Sequence, residues 1–191
     1  MREIRVLGPK ERREVYDRYY KEAFPPAELR PFASMEKLAA AGAYRTLGLY
    51  EGREALAYAS VWRDGRYVLI DYLCVPPEKR SGGLGGELLR RLREAFPPDC
   101  VLFGESEAPT GDPQKDALIL RRLGFYARCG AKTLPYDVWL FGVHYKALGW
   151  YGEDEDIPAL MVRHAGFYRR SMPKALYEKM VKIPYAEAKR K

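Results

Sequence analysis

Apolar and polar positions alternate with period two over residues 2–7, which predicts a short opening strand. From Pro9 the period lengthens to that of a helix, with Val15, Tyr19 and Ala23 on one face, until Phe24-Pro25-Pro26 breaks it. Met35, Leu38 and Ala39 predict a second helix over residues 32–41, closed by Gly42. Three runs rich in aromatic and β-branched residues follow, at 44–50, 55–62 and 67–75. Glu51-Gly52 and Asp64-Gly65 separate them, so they read as an antiparallel meander. Leu84, Leu88, Leu89 and Leu92 then place a helix over 83–96, and the apolar run from Cys100 into Glu105 is another strand. A strand, helix, strand crossover of this kind predicts a parallel pair.

Farther along, Asp112 is placed to cap a helix that has Pro113 at its first position and Gly130 at its end, with Leu118, Leu123 and Phe125 inward. Residues 136–146 and 158–164 read as two closing strands, joined by a loop that carries Glu153-Asp154-Glu155-Asp156. A terminal helix with Leu176, Met180 and Val181 on one side completes a single α/β domain over 1–191, least defined over 150–191.

Composition narrows the picture. At 191 residues the chain is long enough to bury a core without staples. It has no signal-peptide-like apolar start and no apolar run of bilayer length, which points to a soluble, cytoplasmic protein with no membrane partner. Cys74, Cys100 and Cys129 form no CxxC pair and are odd in number, as expected of reduced core thiols. The net charge of +7 is scattered, its densest pieces being Arg169-Arg170 and Lys189-Arg190-Lys191, so no nucleic-acid partner is expected. His144 and His164 lack ligand spacing and read as strand-face or surface residues, so no metal is expected.

The stretch Val75-Pro76-Pro77-Glu78-Lys79-Arg80-Ser81-Gly82-Gly83-Leu84-Gly85-Gly86 carries the chemistry. Without Cβ atoms, a backbone there can turn tightly and present consecutive N–H groups to an anion at the positive end of the following helix. A phosphate or pyrophosphate suits it. A Walker loop would need GK[ST], which is absent, and a dinucleotide fingerprint fails because Leu88 stands where the last glycine is required. Arg80, Gly83 and Gly85 instead match the acyl-CoA loop of the GNAT superfamily of N-acetyltransferases: Gln or Arg, two residues, Gly, one residue, then Gly or Ala. Leu73-Cys74-Val75-Pro76 is similar to the family's strand end before that loop. Phe125-Tyr126-Ala127-Arg128-Cys129-Gly130 resembles its aromatic, Tyr, three residues, Gly. Phe24-Pro25-Pro26-Ala27-Glu28 and Glu105-Ser106-Glu107-Ala108-Pro109 resemble a bacterial branch.

The resemblance covers residues 2–146 and implies a GNAT-type fold with a mixed, mostly antiparallel sheet of about seven strands. It also implies acetyl-CoA as co-substrate. Arg80, Ser81, Gly82, Gly83, Leu84, Gly85 and Gly86 would hold the pyrophosphate, and Leu73, Cys74 and Val75 would lie along pantetheine, their backbone N–H groups meeting the thioester oxygen. Tyr126 would contact CoA and protonate the leaving thiolate. Direct transfer to a primary amine further requires a base, for which Glu107, Glu105 and Asp71 are candidates, Glu107 first. The competing assignments are an ion-paired or exposed Asp71 and glutamates that cap, or pair with Arg121 or Arg122. A small cationic amine, drawn by Glu105, Glu107 and the acidic run at 153–156, is the expected acceptor. A non-catalytic acyl-CoA-binding or regulatory module on the same fold is the alternative, an RNA-binding protein a third. The acceptor's identity and the oligomeric state, a homodimer included, stay open.

Overall fold

The structure, a computed structural model, describes residues 1–26 and 28–185. The basic tail at 189–191 lies outside them. The chain divides into two compact units, Met1–Cys100 and Val101–Lys191.

In the first unit, β1 (Arg2–Val6), β2 (Tyr44–Glu51), β3 (Glu54–Asp64) and β4 (Tyr67–Cys74) pair antiparallel in chain order. Gly52 and Gly65 sit in the two expected turns at φ +62° and +60°. β3 is buried continuously from Leu56 to Trp62, as a central strand covered on both faces is. The first helix starts at Pro9 as expected but has a different inner face. It runs α1 (Pro9–Val15), a π-helical turn (Tyr16–Tyr20) and α2 (Lys21–Ala23). The Lys21 N–H reaches back five residues to the Tyr16 carbonyl, and that wider turn stacks Tyr20 rather than Tyr19 beneath Val15. Val15, Tyr16 and Tyr20 are buried, whereas Ala23 is exposed. Tyr20 Oη bonds Ser60 Oγ at 2.9 Å, fastening the helix to β3. Met35 on α3 (Phe32–Ala40) and Leu88, Leu89 and Leu92 on α4 (Leu84–Glu94) complete the core.

In the second unit, β5 (Val101–Glu107), β6 (Lys132–Leu140), β7 (Val143–Trp150) and β8 (Val181–Tyr185) pair antiparallel in the order β5-β7-β6-β8. Eight strands are thus present among the described residues, one more than the expected seven. The single strand expected over 136–146 is two arms of a hairpin, turned at Phe141 and Gly142, whose φ values of +50° and +94° suit a two-residue turn. The strand expected over 158–164 is instead α6 (Ile157–Ser171). Asp156 caps it by accepting the Ala159 N–H, and Leu160, His164, Phe167 and Tyr168 recur at helical spacing on its buried side. Part of the acidic run is therefore a helix cap.

α5 (Pro113–Arg128) is capped by Asp112, which accepts the Gln114 N–H, and Gly130 beyond its end has φ +84°. Its inner face differs from the one expected: Ile119 is buried while Leu118 is 58% exposed, and the half-buried side continues through Arg122, Leu123 and Tyr126. The terminal helix is the short α7 (Lys174–Met180), with Leu176 exposed, and Val181 belongs to β8. No helix of the described residues is long and apolar enough to cross a membrane.

Candidate active site

The candidate binding segment of the first unit lies between β4 and α4. A 3₁₀ turn over Pro77–Lys79 leaves β4, and Arg80 folds back so that its Nε donates to the Val75 carbonyl at 3.0 Å. Ser81 and Gly83 then adopt left-handed conformations, φ +71° and +74°, on either side of Gly82. At Ser81 that geometry is strained, at Gly83 it is free. The turn ends at α4, whose first residues, Leu84, Gly85 and Gly86, have no intrahelical acceptor for their N–H groups. Gly83 is the N-cap and offers no side chain to occupy them. Glu87, in the first turn, would oppose an anion, but Arg2 at 2.8 Å and Arg91 at 2.9 Å neutralise it and hold its carboxyl below the ordinary range.

Leading into this loop, Leu73 is half-buried on β4, Cys74 is buried and Val75 is half-buried. Burial pushes the Cys74 thiol up to about 11, so it stays protonated, as suits a packing residue. Asp71, two residues earlier, is engaged on both oxygens. Oδ2 accepts from Arg30 Nε at 2.9 Å and from Tyr44 Oη at 2.6 Å, and Oδ1 accepts from Arg30 Nη2 at 3.1 Å. Arg30 and Asp71 are about nine-tenths buried, and the bidentate guanidinium occupies both oxygens of that carboxylate.

The second unit gathers the other candidates around the end of β5. Glu107 pairs through Oε2 with Arg122 Nη1 at 2.6 Å, both partly exposed. One turn along α5 from Arg122 stands Tyr126, half-buried, its ring 6.4 Å from that of Trp150. Burial pushes the Tyr126 phenol up to about 12, against which the Arg122 cation pulls down, with Glu105 adding a smaller upward push. Tyr126 is therefore a neutral O–H donor at any physiological pH, within the electrostatic reach of Arg122 and Glu105. Glu105 itself is only 9% exposed. Its Oε1 accepts from His164 Nε2 at 2.6 Å and from Tyr168 Oη at 2.7 Å, and His164 Nδ1 meets Tyr136 Oη at 3.1 Å.

His164 corrects the expectation of a strand-face or surface residue, since it is fully buried on α6. His144 lies on β7 beside Asp137, at 2.8 Å, and the Tyr185 ring. Among the described residues no group of three or more His, Cys, Asp or Glu is placed to hold a metal ion.

No family model matches the sequence, and no curated protein matches it. Solved structures do. An acetyltransferase described as a putative GNAT-family member from Bacteroides thetaiotaomicron superposes with a TM-score of 0.71 at 17% identity, over 85% of this chain and 94% of that one. This chain has the GNAT fold. A variant of the spermidine N-acetyltransferase of Vibrio cholerae superposes with a TM-score of 0.57 at 14% identity, over 78% of this chain and 92% of its own. A Bacillus subtilis acetyltransferase in complex with CoA does so at 0.56 and 15%, over 80% and 99%.

Within this GNAT fold each unit brings together a distinct set of candidates. Leu73, Cys74, Val75 and the 80–86 loop form one continuous path in the first unit. Glu105, Glu107 and Tyr126 cluster in the second, with Arg122 among them. Sequence reasoning missed the roles of His164, Tyr136 and Tyr168 around Glu105. The signal was present in the spacing Leu160, His164, Phe167, Tyr168, which a strand assignment over 158–164 conceals.

Proposed function

We propose that this protein is an acetyl-CoA-dependent N-acetyltransferase that moves the acetyl group directly to a small cationic amine within a ternary complex. The observation that carries the reading is the uncapped amino terminus of α4 behind the Ser81-Gly82-Gly83 turn, a cradle whose open N–H groups match a pyrophosphate. The likeness to a fold that in the Bacillus subtilis structure holds CoA supports the same guest.

In this reading the backbone N–H groups near Cys74 and Val75 polarise the thioester carbonyl and stabilise the oxyanion of the tetrahedral intermediate. A carboxylate takes one proton from the incoming ammonium, and the neutral amine forms the C–N bond. On collapse the C–S bond breaks and Tyr126 protonates the thiolate. The second N–H proton released from nitrogen balances the one Tyr126 gave. Of the three carboxylates, Asp71 has both oxygens on donors and Glu107 has a guanidinium on one, so Glu105 is the best base. The spermidine enzyme of Vibrio cholerae offers a precedent for a polyamine acceptor on this fold.

Two measurements test the proposal. Calorimetry with acetyl-CoA should show binding that weakens at least tenfold in Gly83→Val, where a β-branched residue would be strained at φ +74° and would crowd the phosphates. Unchanged affinity in a folded variant removes the loop assignment. Thiol release from acetyl-CoA, followed across a panel of amines, should then identify the acceptor. Binding without release for any amine would favour the non-catalytic module instead.

A further inference from the structure

With acetyl transfer taken as the activity, we propose that His164 is a positioning residue for Glu105: its buried imidazole and the Tyr168 hydroxyl pin one carboxylate oxygen so that the other, Oε2, is presented as the base. The placement follows from the hydrogen-bond inventory. A carboxylate in its basic form has no proton to donate, so the 2.6 Å contact requires the hydrogen on His164 Nε2. Nδ1 meets Tyr136 Oη at 3.1 Å, accepting the phenol proton when the ring is neutral and donating to the phenol oxygen when it is charged. Burial first, and then the nearby Glu105, drive the Tyr136 phenol well above its ordinary range, which keeps its hydroxyl protonated in either case. Tyr168 supplies a second donor to Oε1 at 2.7 Å.

Ring packing fixes the imidazole as firmly as its hydrogen bonds do. The Phe103 ring lies 4.9 Å from it, Tyr136 5.9 Å and Tyr168 6.0 Å, and no part of His164 reaches solvent. A carboxyl group this buried would be cheaper as an apolar side chain unless its charge had a use. Both described bonds fall on Oε1, so Oε2 retains its lone pairs for a proton. Tyr126, the proposed acid, feels the charge of Glu105, so base and acid lie within each other's field.

Steady-state kinetics with the best amine, together with calorimetry for acetyl-CoA and a melting curve for each protein, test the role. His164→Leu removes the donor at similar volume and should lower kcat about a hundredfold, with the amine KM within about threefold and acetyl-CoA affinity unchanged. His164→Gln restores an N–H near Nε2 and should recover at least about tenfold of that loss, which a packing role would not do. Should His164→Leu fail to fold, Tyr168→Phe removes the other donor while keeping the ring, and is expected to lower kcat about tenfold. Parental kcat in a folded His164→Leu or in Tyr168→Phe, or equal losses in the Leu and Gln variants, overturns the positioning role alone. If the parent binds acetyl-CoA but acetylates no amine, the acetyl-transfer reading falls and this role with it.

Discussion

Among the described residues, each unit holds a carboxylate with about nine-tenths of its side chain covered, and the two are treated differently. Asp71 in the first unit has a bidentate guanidinium and a phenol covering both oxygens. Glu105 in the second has a histidine and a phenol, both on one oxygen. Equally little of each is exposed, 9% of the side chain, so burial does not separate them. The partners do. A guanidinium across both oxygens makes a carboxylate an anchor, whereas donors gathered on one oxygen leave the other's lone pairs over. Asp71 accordingly reads as an anchor: its partner Arg30 and the neighbouring Tyr72 tie the segment before α3 to β4, the Tyr72 hydroxyl accepting the Arg30 N–H at 2.6 Å and donating to the Glu28 carbonyl.

The largest effect that would break this contrast lies in the first unit. Arg30→Met keeps the aliphatic stem but leaves Asp71 with Tyr44 alone, and should cost about 3–5 kcal/mol in urea unfolding. A loss below about 1 kcal/mol would mean that the pair is not an anchor. Glu105→Gln in the second unit should do the reverse, lowering kcat at least a hundredfold, about 2.7 kcal/mol in activation free energy, while melting close to the parent. A kcat within threefold of the parent would move the base to Glu107.

Tyr126 sharpens the comparison through pH. Its folded pKa of about 12 exceeds the unfolded value of 10, so the stability tied to the neutral phenol is complete below pH 10 and is lost as pH rises toward 12. Near pH 11 the loss from this residue is on the order of 1 kcal/mol. Tyr126→Phe, expected to lower kcat about a hundredfold, should therefore melt less steeply than the parent across pH 10–12. Parallel melting curves would place the phenol in water. The smallest effect is expected at Glu107→Gln, whose partly exposed pair with Arg122 should change stability by less than about 1 kcal/mol.

The meander of the first unit was legible because each turn carries its own glycine and each strand its own aromatic and β-branched run. The glycine loop was legible because glycines allow the left-handed turn at Gly83, and the run of them stands out in the chain. The first helix departs from its expected face because a π turn between Tyr16 and Tyr20 adds a residue to the register, which the spacing of apolar positions does not encode. In the second unit, 158–164 was misread because a short apolar run suits a strand as well as a buried helix, and the arbiter, the Asp156 cap with its continuation to Tyr168, lies outside the run.

What the sequence determined by itself is therefore local: turn chemistry, caps, leucine periodicity, and the candidates Arg80, Gly83, Gly85 and Tyr126. What only the tertiary structure decided is which carboxylate is fully paired and which is not. Arg30 is 41 residues from Asp71, and His164 is 59 residues from Glu105. Hydrogen bonds at that separation leave no periodic trace in the chain, since they depend on where β4, β5 and α6 bring their side chains once the apolar faces of each unit have been buried.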